Sequence, residues 1–151
     1  MKKFILFTAL VSFFMACNNS GKSDETIPDT VVAVQAWEAT LNDSTDKIEL
    51  NKSVPDGPDS LSVDAVIRFL NLRNPNVQVQ YVKQSGDTLY ISIPQATYLT
   101  QQMGSTGPEL FFAESVYNLT EIPGIHYVRY DFEEGDHAQP GLFSRDSFKD
   151  E

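Results

Sequence analysis

The chain has 151 residues with 41 % hydrophobic and 11 % aromatic content, which is enough to bury one core and too little for two ordinary domains. It carries 21 acidic and 11 basic residues, a formal net charge of −10. Nucleic acid and anionic lipid surfaces are therefore poor partners, because like charges repel. The charge is typical of a solvated, acidic protein and does not by itself indicate a cationic ligand.

Residues 1–16 have the organisation of a bacterial signal peptide. Lys2 and Lys3 form a basic start, and an apolar or small-residue run extends from Phe4 to Ala16. Thirteen residues in a helix would span only about 20 Å, short of the roughly 30 Å hydrocarbon core of a bilayer. We therefore expect a cleaved signal peptide and not a permanent transmembrane helix. Its removal leaves 9 basic residues against 21 acidic ones, a formal charge of −12.

The end of this segment, Phe14-Met-Ala-Cys17, resembles the bacterial lipobox, with Phe14 where leucine is commonest. The resemblance implies that the Cys17 thiol is acylated and becomes the new N-terminus after cleavage. Cys17 is the only cysteine in the chain, so an intramolecular disulfide is impossible. Two or three acyl chains give stable anchoring where one is marginal. Membrane attachment through lipid on Cys17 is the prediction, and secretion with a free thiol is the alternative.

A polar, turn-rich segment follows the cysteine. Residues 17–30 offer almost nothing to bury and predict a flexible tether, so that a single domain should occupy residues 31–151. Within the tether, Lys22 followed by Asp24 and Glu25 loosely resembles the acidic signal that sends Bacteroidetes-type lipoproteins to the outer surface. A solvated linker explains the same residues. The predicted location is therefore the bacterial cell envelope, facing either the periplasm or the outside.

The first half of the domain predicts a hairpin and a helix. Apolar and β-branched residues at Val31 to Leu41 and Lys47 to Val54 favour two paired strands. Trp37, in the first of them, fits either a core position or a sugar-stacking platform. Ser60 or Ser62 can cap a helix that runs to about Leu72. Its expected buried stripe is Val63, Val66, Ile67 and Leu70.

A second hairpin is predicted next. Val77 to Val82 and Thr88 to Ile93 both alternate, with Val77, Val79 and Tyr81 expected to face the core. Gln95 to Met103 should form a short helical turn.

The segment from Pro108 to Phe132 has the strongest pattern. Phe112, Val116 and Leu119 recur at helical spacing and predict a helix with one buried face. Pro123-Gly124 breaks it, and Ile125 to Phe132 then alternates as a strand. The predicted inner face consists of His126, Val128, Tyr130 and Phe132. Arg129 and Asp131 should lie on the outer face, and His126 should be buried and hydrogen-bonded.

This order of elements indicates an α+β domain with a single mixed sheet and two main helices packed on one face. Five segments, Gly86 to Ile93, Tyr98 to Thr100, Met103 to Gly107, Ala113 to Thr120 and Pro123 to Val128, together also resemble the GerMN domain of sporulation proteins and envelope lipoproteins. The resemblance covers about Ser60 to Phe148, with Leu72-Arg-Asn-Pro75 where the family has Leu-x-x-Gly-Pro. It implies a small α/β domain that binds or assembles with an envelope partner and has no established catalytic residues.

A charged turn, Glu133 to Gly141, follows the last predicted strand. Its carboxylates and imidazole could ligate Ca²⁺ or Zn²⁺, although their spacing matches neither an EF-hand nor HExxH, and a solvated turn bonded to its own backbone is the competing interpretation. We predict a partner surface on this turn and the adjoining strand. The candidate residues are Arg129, Asp131, Glu133, Asp136, His137 and Arg145.

The sequence favours a non-catalytic binding protein with no cofactor. It lacks G-x-S-x-G, and its only cysteine belongs to the predicted anchor. The expected partners are the membrane, through Cys17, and an envelope protein or peptidoglycan. The alternative is a metal-dependent or glycan hydrolase that uses the acidic turn at 131–137, for example through a carboxylate pair such as Glu114 with Asp136.

Overall fold

A computed structural model describes residues 34–149 of the chain. The predicted signal peptide, the lipidation site at Cys17 and the tether at 17–30 lie outside the described residues. Within them, no helix is long and apolar enough to cross a membrane. In chain order the elements are β1 (Ala36–Asn42), β2 (Lys47–Val54), α1 (Val63–Arg73), β3 (Gln80–Ser85), β4 (Thr88–Ser92), a π-helical turn (Tyr98–Gln102), α2 (Gly107–Leu119), β5 (Tyr127–Asp131), β6 (Gly141–Phe143) and a 3₁₀ turn (Arg145–Phe148).

The fold is α+β, as predicted, but its strands form two sheets and not one. β1 and β2 are an isolated antiparallel hairpin, and the other four strands form a mixed sheet in the order β3-β4-β5-β6. The expectation of a single sheet was wrong because the hairpin docks on a helix and not on a sheet edge. The backbone of Trp37 in β1 exchanges two hydrogen bonds of 2.9 Å with the side-chain amide of Asn118 in α2. The Asn118 side chain thus satisfies the backbone N–H and carbonyl groups of Trp37, which a neighbouring strand would otherwise satisfy.

The four-stranded sheet is built around a crossover. β4 and β5 are parallel, with Leu89 opposite Val128 and Ile91 opposite Tyr130, and the π-helical turn and α2 connect them. β3 and β6 pair antiparallel on the two outer sides. Parallel neighbours need such a long connection, which places α2 against the sheet.

The core lies between this sheet and the two helices. Leu89, Ile91, Val128 and Tyr130 are all at most 1 % exposed, whereas the residues that alternate with them are exposed or half-buried. The main helices therefore cover one face of the sheet, as predicted. The placement of Val128 and Tyr130 on the inner face of β5 is confirmed.

Helix α2 is buried on two sides, although the sequence pattern predicted one buried face. Towards the sheet, the Ser115 hydroxyl bonds the Tyr130 hydroxyl at 2.6 Å, and the Phe112 ring packs against that of Tyr130 at 5.1 Å. Val116 and Leu119 lie on the same stripe and are fully buried. The opposite side of the helix contacts the hairpin, which the sequence did not place there.

Helix α1 begins after Ser62, whose hydroxyl accepts from the Ala65 N–H at 3.3 Å, so one of the two predicted caps is confirmed. Val66 and Leu70 are buried as predicted. The other two buried positions are Ala65 and Phe69, whereas Val63 and Ile67 are only partly buried against the core. The helix is thus rotated from the predicted stripe, and one of its flanks faces β3 across an open groove.

Three further predictions need correction. Val77 and Val79 are buried as predicted, but they precede β3 and do not belong to it. Tyr81 was expected to face the core and is 47 % exposed, because β3 is an edge strand with a register shift between Tyr81 and Lys83. His126 is exposed because β5 starts only at Tyr127.

Strand β6 was not predicted at all. It is only three residues long, and its Phe143 ring stacks on Phe112 at 4.9 Å. Phe132 also stacks on Phe112, at 5.9 Å, which agrees with its predicted inner position. An aromatic cluster therefore closes this end of the core.

Candidate functional site

The six predicted surface residues fall in three separate places. Arg129 and Asp131 lie exposed on the outer face of β5, which the helices do not cover. Glu133, Asp136 and His137 are exposed in the turn beyond the carboxyl end of that strand. Arg145 lies on the helix side of the sheet, near the amino end of β5, where it contacts Thr120 and Tyr117. The prediction that grouped Arg145 with the acidic turn was therefore wrong.

The acidic turn is held by its backbone. The Gly135 N–H donates to the Ala138 carbonyl at 3.1 Å, and the His137 N–H donates to the Thr100 carbonyl in the π-helical turn at 3.0 Å. A Cβ at Gly135 would stand only 2.7 Å from the Thr100 Cβ, so glycine is required for this close approach. These bonds orient the turn and leave its carboxylates pointing into solvent. Among residues 34–149, no group of three or more His, Cys, Asp or Glu side chains is placed to hold a metal ion.

Arg145 belongs to a clasp that joins the C-terminal segment to α2 and the hairpin. Its guanidinium donates to the Thr120 hydroxyl at 2.8 Å, the Tyr117 carbonyl at 3.0 Å and the Glu121 carboxylate at 2.6 Å. It also lies over the rings of Tyr117 and Trp37, at 4.9 and 5.5 Å. The three hydrogen bonds use three of the five guanidinium N–H donors, and the two ring contacts help to fix the group.

Glu121 is the centre of this clasp. Its carboxylate accepts from Arg145, from Lys52 of β2 at 2.6 Å and from the Trp37 indole N–H at 3.0 Å. Burial is the largest single influence on the Glu121 pKa and would raise it, but the hydrogen bonds from Lys52, Arg145 and Trp37 together outweigh burial. They lower the pKa from 4.5 to about 2. Trp37 is therefore engaged in packing and hydrogen bonding, and the sugar-stacking interpretation of this residue is not supported by its surroundings.

A second charged group ties the two helices to the hairpin. The Arg73 guanidinium at the end of α1 contacts Glu114 of α2 at 2.9 Å and Glu38 of β1 at 3.1 Å. The hydrogen bond that Arg73 donates to Glu114 is the largest influence on the Arg73 pKa and raises it, in spite of partial burial. Glu114 is thus held in an ion pair with Arg73, which does not suit one member of a hydrolytic carboxylate pair with Asp136.

The outer face of the sheet carries a different arrangement of charges from the two groups of ion pairs around Glu121 and Arg73. A straight row of side chains crosses all four strands, because Lys83 pairs with Tyr90, Tyr90 with Arg129 and Arg129 with Leu142. Directly opposite residues in adjacent strands point to the same face, so the four side chains are neighbours. The Lys83 ammonium lies 4.7 Å from the centre of the Tyr90 ring. We name this row, together with Tyr127, the open-face row.

Both charges of the open-face row are unpaired. Neither Lys83 nor Arg129 forms a salt bridge within the described part of the chain, where Lys52, Arg73, Arg145 and Lys149 all do. Large apolar surface is exposed beside them, since Leu142 is 53 % and Tyr127 is 41 % exposed. Two neighbouring cations without a carboxylate partner among residues 34–149, next to exposed aromatic surface, are unusual in so acidic a chain. This combination makes the open-face row the best candidate for a binding surface.

Sequence reasoning found Arg129 but missed the rest of the row. Tyr90 and Tyr127 each stand one position away from a correctly predicted core residue, so the period of two would have placed them on the outer face. Lys83 and Leu142 could not be found in this way. Lys83 reaches the face through the register shift in β3, and Leu142 belongs to the unpredicted β6.

Comparison with known proteins adds no relative. No protein-family model matches the chain. Searches of the curated proteins and of the solved structures also find no match. The resemblance to the GerMN domain therefore stays a prediction that depends on the quoted motifs.

Proposed function

We propose that the protein is a lipid-anchored component of the bacterial cell envelope, whose GerMN-like domain binds an envelope partner without catalysing a reaction. The observation that carries the anchor is Cys17, the only cysteine, directly after a basic start and a 13-residue apolar run. An exported thiol with no intramolecular partner needs a role, and acylation provides one.

The binding role is supported by the contrast between paired and unpaired charges. Arg73, Arg145 and Glu121 are engaged in contacts between elements of the fold. Lys83 and Arg129 have no carboxylate partner among residues 34–149 and stand beside exposed aromatic and aliphatic surface. Charged side chains that the fold does not use, held on the strands of a sheet, are suited to recognition.

The non-catalytic part of the proposal is supported by the acidic turn. Its carboxylates are exposed, and backbone hydrogen bonds account for its conformation. General acid or base chemistry at neutral pH usually depends on carboxyl groups whose environment is partly desolvated. Solvent-exposed carboxylates do not have that environment.

The anchor is tested by expressing the full chain and its Cys17→Ser variant in a bacterium supplied with radiolabelled palmitate. The wild type should take up label and sediment with membranes, and the variant should do neither. Ser20→Ala, three residues further on, is the matched control and should behave as the wild type. An unlabelled wild type together with a membrane-bound Cys17→Ser variant would overturn the anchor.

The binding role is tested separately by capture from envelope extracts. Full chains purified in detergent would carry either Arg129→Gln on the open face or Arg68→Ala on α1. Arg68 is also exposed and also lacks a salt bridge among the described residues. Envelope material should be lost by the first variant and retained by the second. The reverse result would move the binding surface to the groove between α1 and β3.

A further inference from the structure

We infer that the open-face row binds a glycan strand that carries carboxylate groups, the chemistry of peptidoglycan with its peptide stems. This inference rests on the proposed function and names the class of partner. It is carried by the arrangement of Lys83, Tyr90, Arg129 and Leu142 in one line across the sheet, with Tyr127 beside it.

The two cations select for carboxylates. Arg129 lies on β5, inside the sheet, and its planar guanidinium can hold a carboxylate through two parallel hydrogen bonds. Lys83 stands two strands away, a separation of about 10 Å. A ligand with carboxylates at intervals along a polymer can therefore engage both cations at once.

The tyrosines suit sugar rings. Tyr90 is the direct cross-strand neighbour of Arg129, and Tyr127 precedes Arg129 by two residues on the same face. Tyr127, which is 41 % exposed, presents an apolar ring together with a polar hydroxyl, the amphipathic character that a sugar also has, whereas Tyr90 is half-buried and its ring already contacts the Lys83 ammonium at 4.7 Å. Thr88, directly opposite Tyr127, and Ser92, two residues beyond Tyr90, add hydroxyl groups on the same face of β4. The face therefore offers alternating stacking and hydrogen-bonding surface.

The shape of the surface favours an extended polymer over a folded protein. The row spans three strand spacings, about 14 Å, across a sheet face that no helix or strand among residues 34–149 covers. Its large exposed apolar side chains are Tyr127 and Leu142, and the charged Arg129 stands beside both of them. A stable interface between folded proteins buries about 800 Å² per partner around an apolar centre, which this row does not provide.

The surrounding charges limit how acidic the ligand can be. Asp131 borders the row on β5, and the acidic turn follows it. A densely anionic partner such as an acidic peptide would meet these carboxylates, since exposed charges interact over about 10 Å at moderate ionic strength. Mostly neutral sugars with separate carboxylates avoid that repulsion.

The test is co-sedimentation of the detergent-purified full chain with purified, protein-free peptidoglycan sacculi. The wild type should sediment with them. Arg129→Gln should weaken binding about tenfold or more, as expected for the loss of a charge-assisted hydrogen bond. Tyr127→Ala should weaken it independently, and Arg68→Ala should bind as the wild type. Circular dichroism and thermal melting of each variant exclude misfolding as the cause.

A second arm distinguishes carboxylate recognition from stacking alone. Sacculi whose carboxyl groups are converted to amides with a carbodiimide and ammonia keep their strands and peptide stems, still sediment, and lose most of their carboxylates. The wild type should bind these amidated sacculi at least as weakly as Arg129→Gln binds untreated ones, and on amidated sacculi Arg129→Gln should bind as the wild type does. An equal effect of Arg129→Gln on both substrates would overturn the carboxylate assignment.

Complete absence of sacculus binding by the wild type would overturn the inference itself. If envelope extracts still yielded a captured protein that Arg129→Gln loses, the proposed binding function would stand with a protein partner. If a synthetic polyglutamate peptide bound in place of sacculi, an acidic protein segment would replace the glycan. Failure of the anchor is read from Cys17 labelling and does not affect either outcome.

Discussion

The two faces of the four-stranded sheet use their charges in opposite ways. On the helix side, Arg73, Arg145, Glu114 and Glu121 are tied into hydrogen bonds that join α1, α2, the hairpin and the C-terminal segment. On the open side, Lys83 and Arg129 have no ion-pair partner within residues 34–149. Charge that is already paired holds the fold together, whereas unpaired charge is available to a ligand. The following predictions test whether this division is real.

The largest difference in unfolding free energy between the two faces should come from replacing a leucine by alanine on each of them. Leu119→Ala removes a side chain that is 0 % exposed and should cost about 2 to 5 kcal/mol of unfolding free energy. Leu142→Ala removes one that is 53 % exposed and should cost under about 1 kcal/mol. Urea denaturation of the full chain in detergent-free buffer, with Cys17→Ser in every variant, measures both. Similar losses of unfolding free energy would contradict the exposed position of Leu142 on the open face.

The next effect concerns the hairpin, the element whose position the sequence did not reveal. Asn118→Ala removes both hydrogen bonds to the Trp37 backbone, and one to the Glu114 carbonyl at 2.8 Å. Leaving buried backbone groups unpaired costs about 1 to 3 kcal/mol. The loss should be accompanied by faster amide exchange in β1 and β2 while β4 and β5 stay protected. Uniform exchange across both sheets would show that the hairpin is not a separate unit.

These two residues also show where sequence reasoning succeeded and failed. Leu119 was placed correctly because helical period and a Pro-Gly break act over neighbouring residues. Asn118 stands one position away and was overlooked, because an amide that substitutes for a strand leaves no periodic pattern. The hairpin itself was predicted, but a period of two does not say which surface an amphipathic strand will cover.

In the candidate site, too, the prediction was correct where it depended on a local pattern and wrong where it depended on a long-range contact. Arg129 was assigned to the outer face by alternation alone, and Arg145 was grouped with the acidic turn only because it follows that turn in the chain. The structure places Arg145 beside Trp37 and Glu121 through contacts that span more than twenty residues. Long-range pairing of this kind cannot be read from spacing.

A pH titration should sharpen the assignment of Glu121 to the fold. Its pKa is lowered from 4.5 to about 2 in the folded chain, so its carboxylate contributes stability that is complete above pH 4.5 and is lost as the pH falls towards 2. Glu121→Gln removes that contribution. The difference in unfolding free energy between wild type and variant should therefore be constant above pH 5 and shrink below pH 4.5. A difference that did not change with pH would show that Glu121 is not ionised preferentially in the fold.

A smaller effect is expected from the buried hydroxyl pair. Tyr130→Phe removes the 2.6 Å bond to Ser115, but the Ser115 hydroxyl keeps its 3.2 Å bond to the Phe112 carbonyl. Since no group is left without a partner, the cost should be about 0.5 to 1.5 kcal/mol. Burial raises the Tyr130 pKa above its ordinary value, so ultraviolet titration should show one tyrosine that ionises only on unfolding. Ordinary titration of all six tyrosines would contradict the buried position.

The central claim is tested most directly by one comparison of two arginines. Urea denaturation of Arg145→Ala and Arg129→Ala, in the same Cys17→Ser background, removes the same side chain from the helix side and from the open side. Arg145→Ala should cost about 1.5 to 3 kcal/mol, since it breaks hydrogen bonds to Thr120, Tyr117 and Glu121. Arg129→Ala should cost under about 0.5 kcal/mol. Equal losses, or a larger loss for Arg129→Ala, would contradict the division between a face that holds the fold and a face that binds.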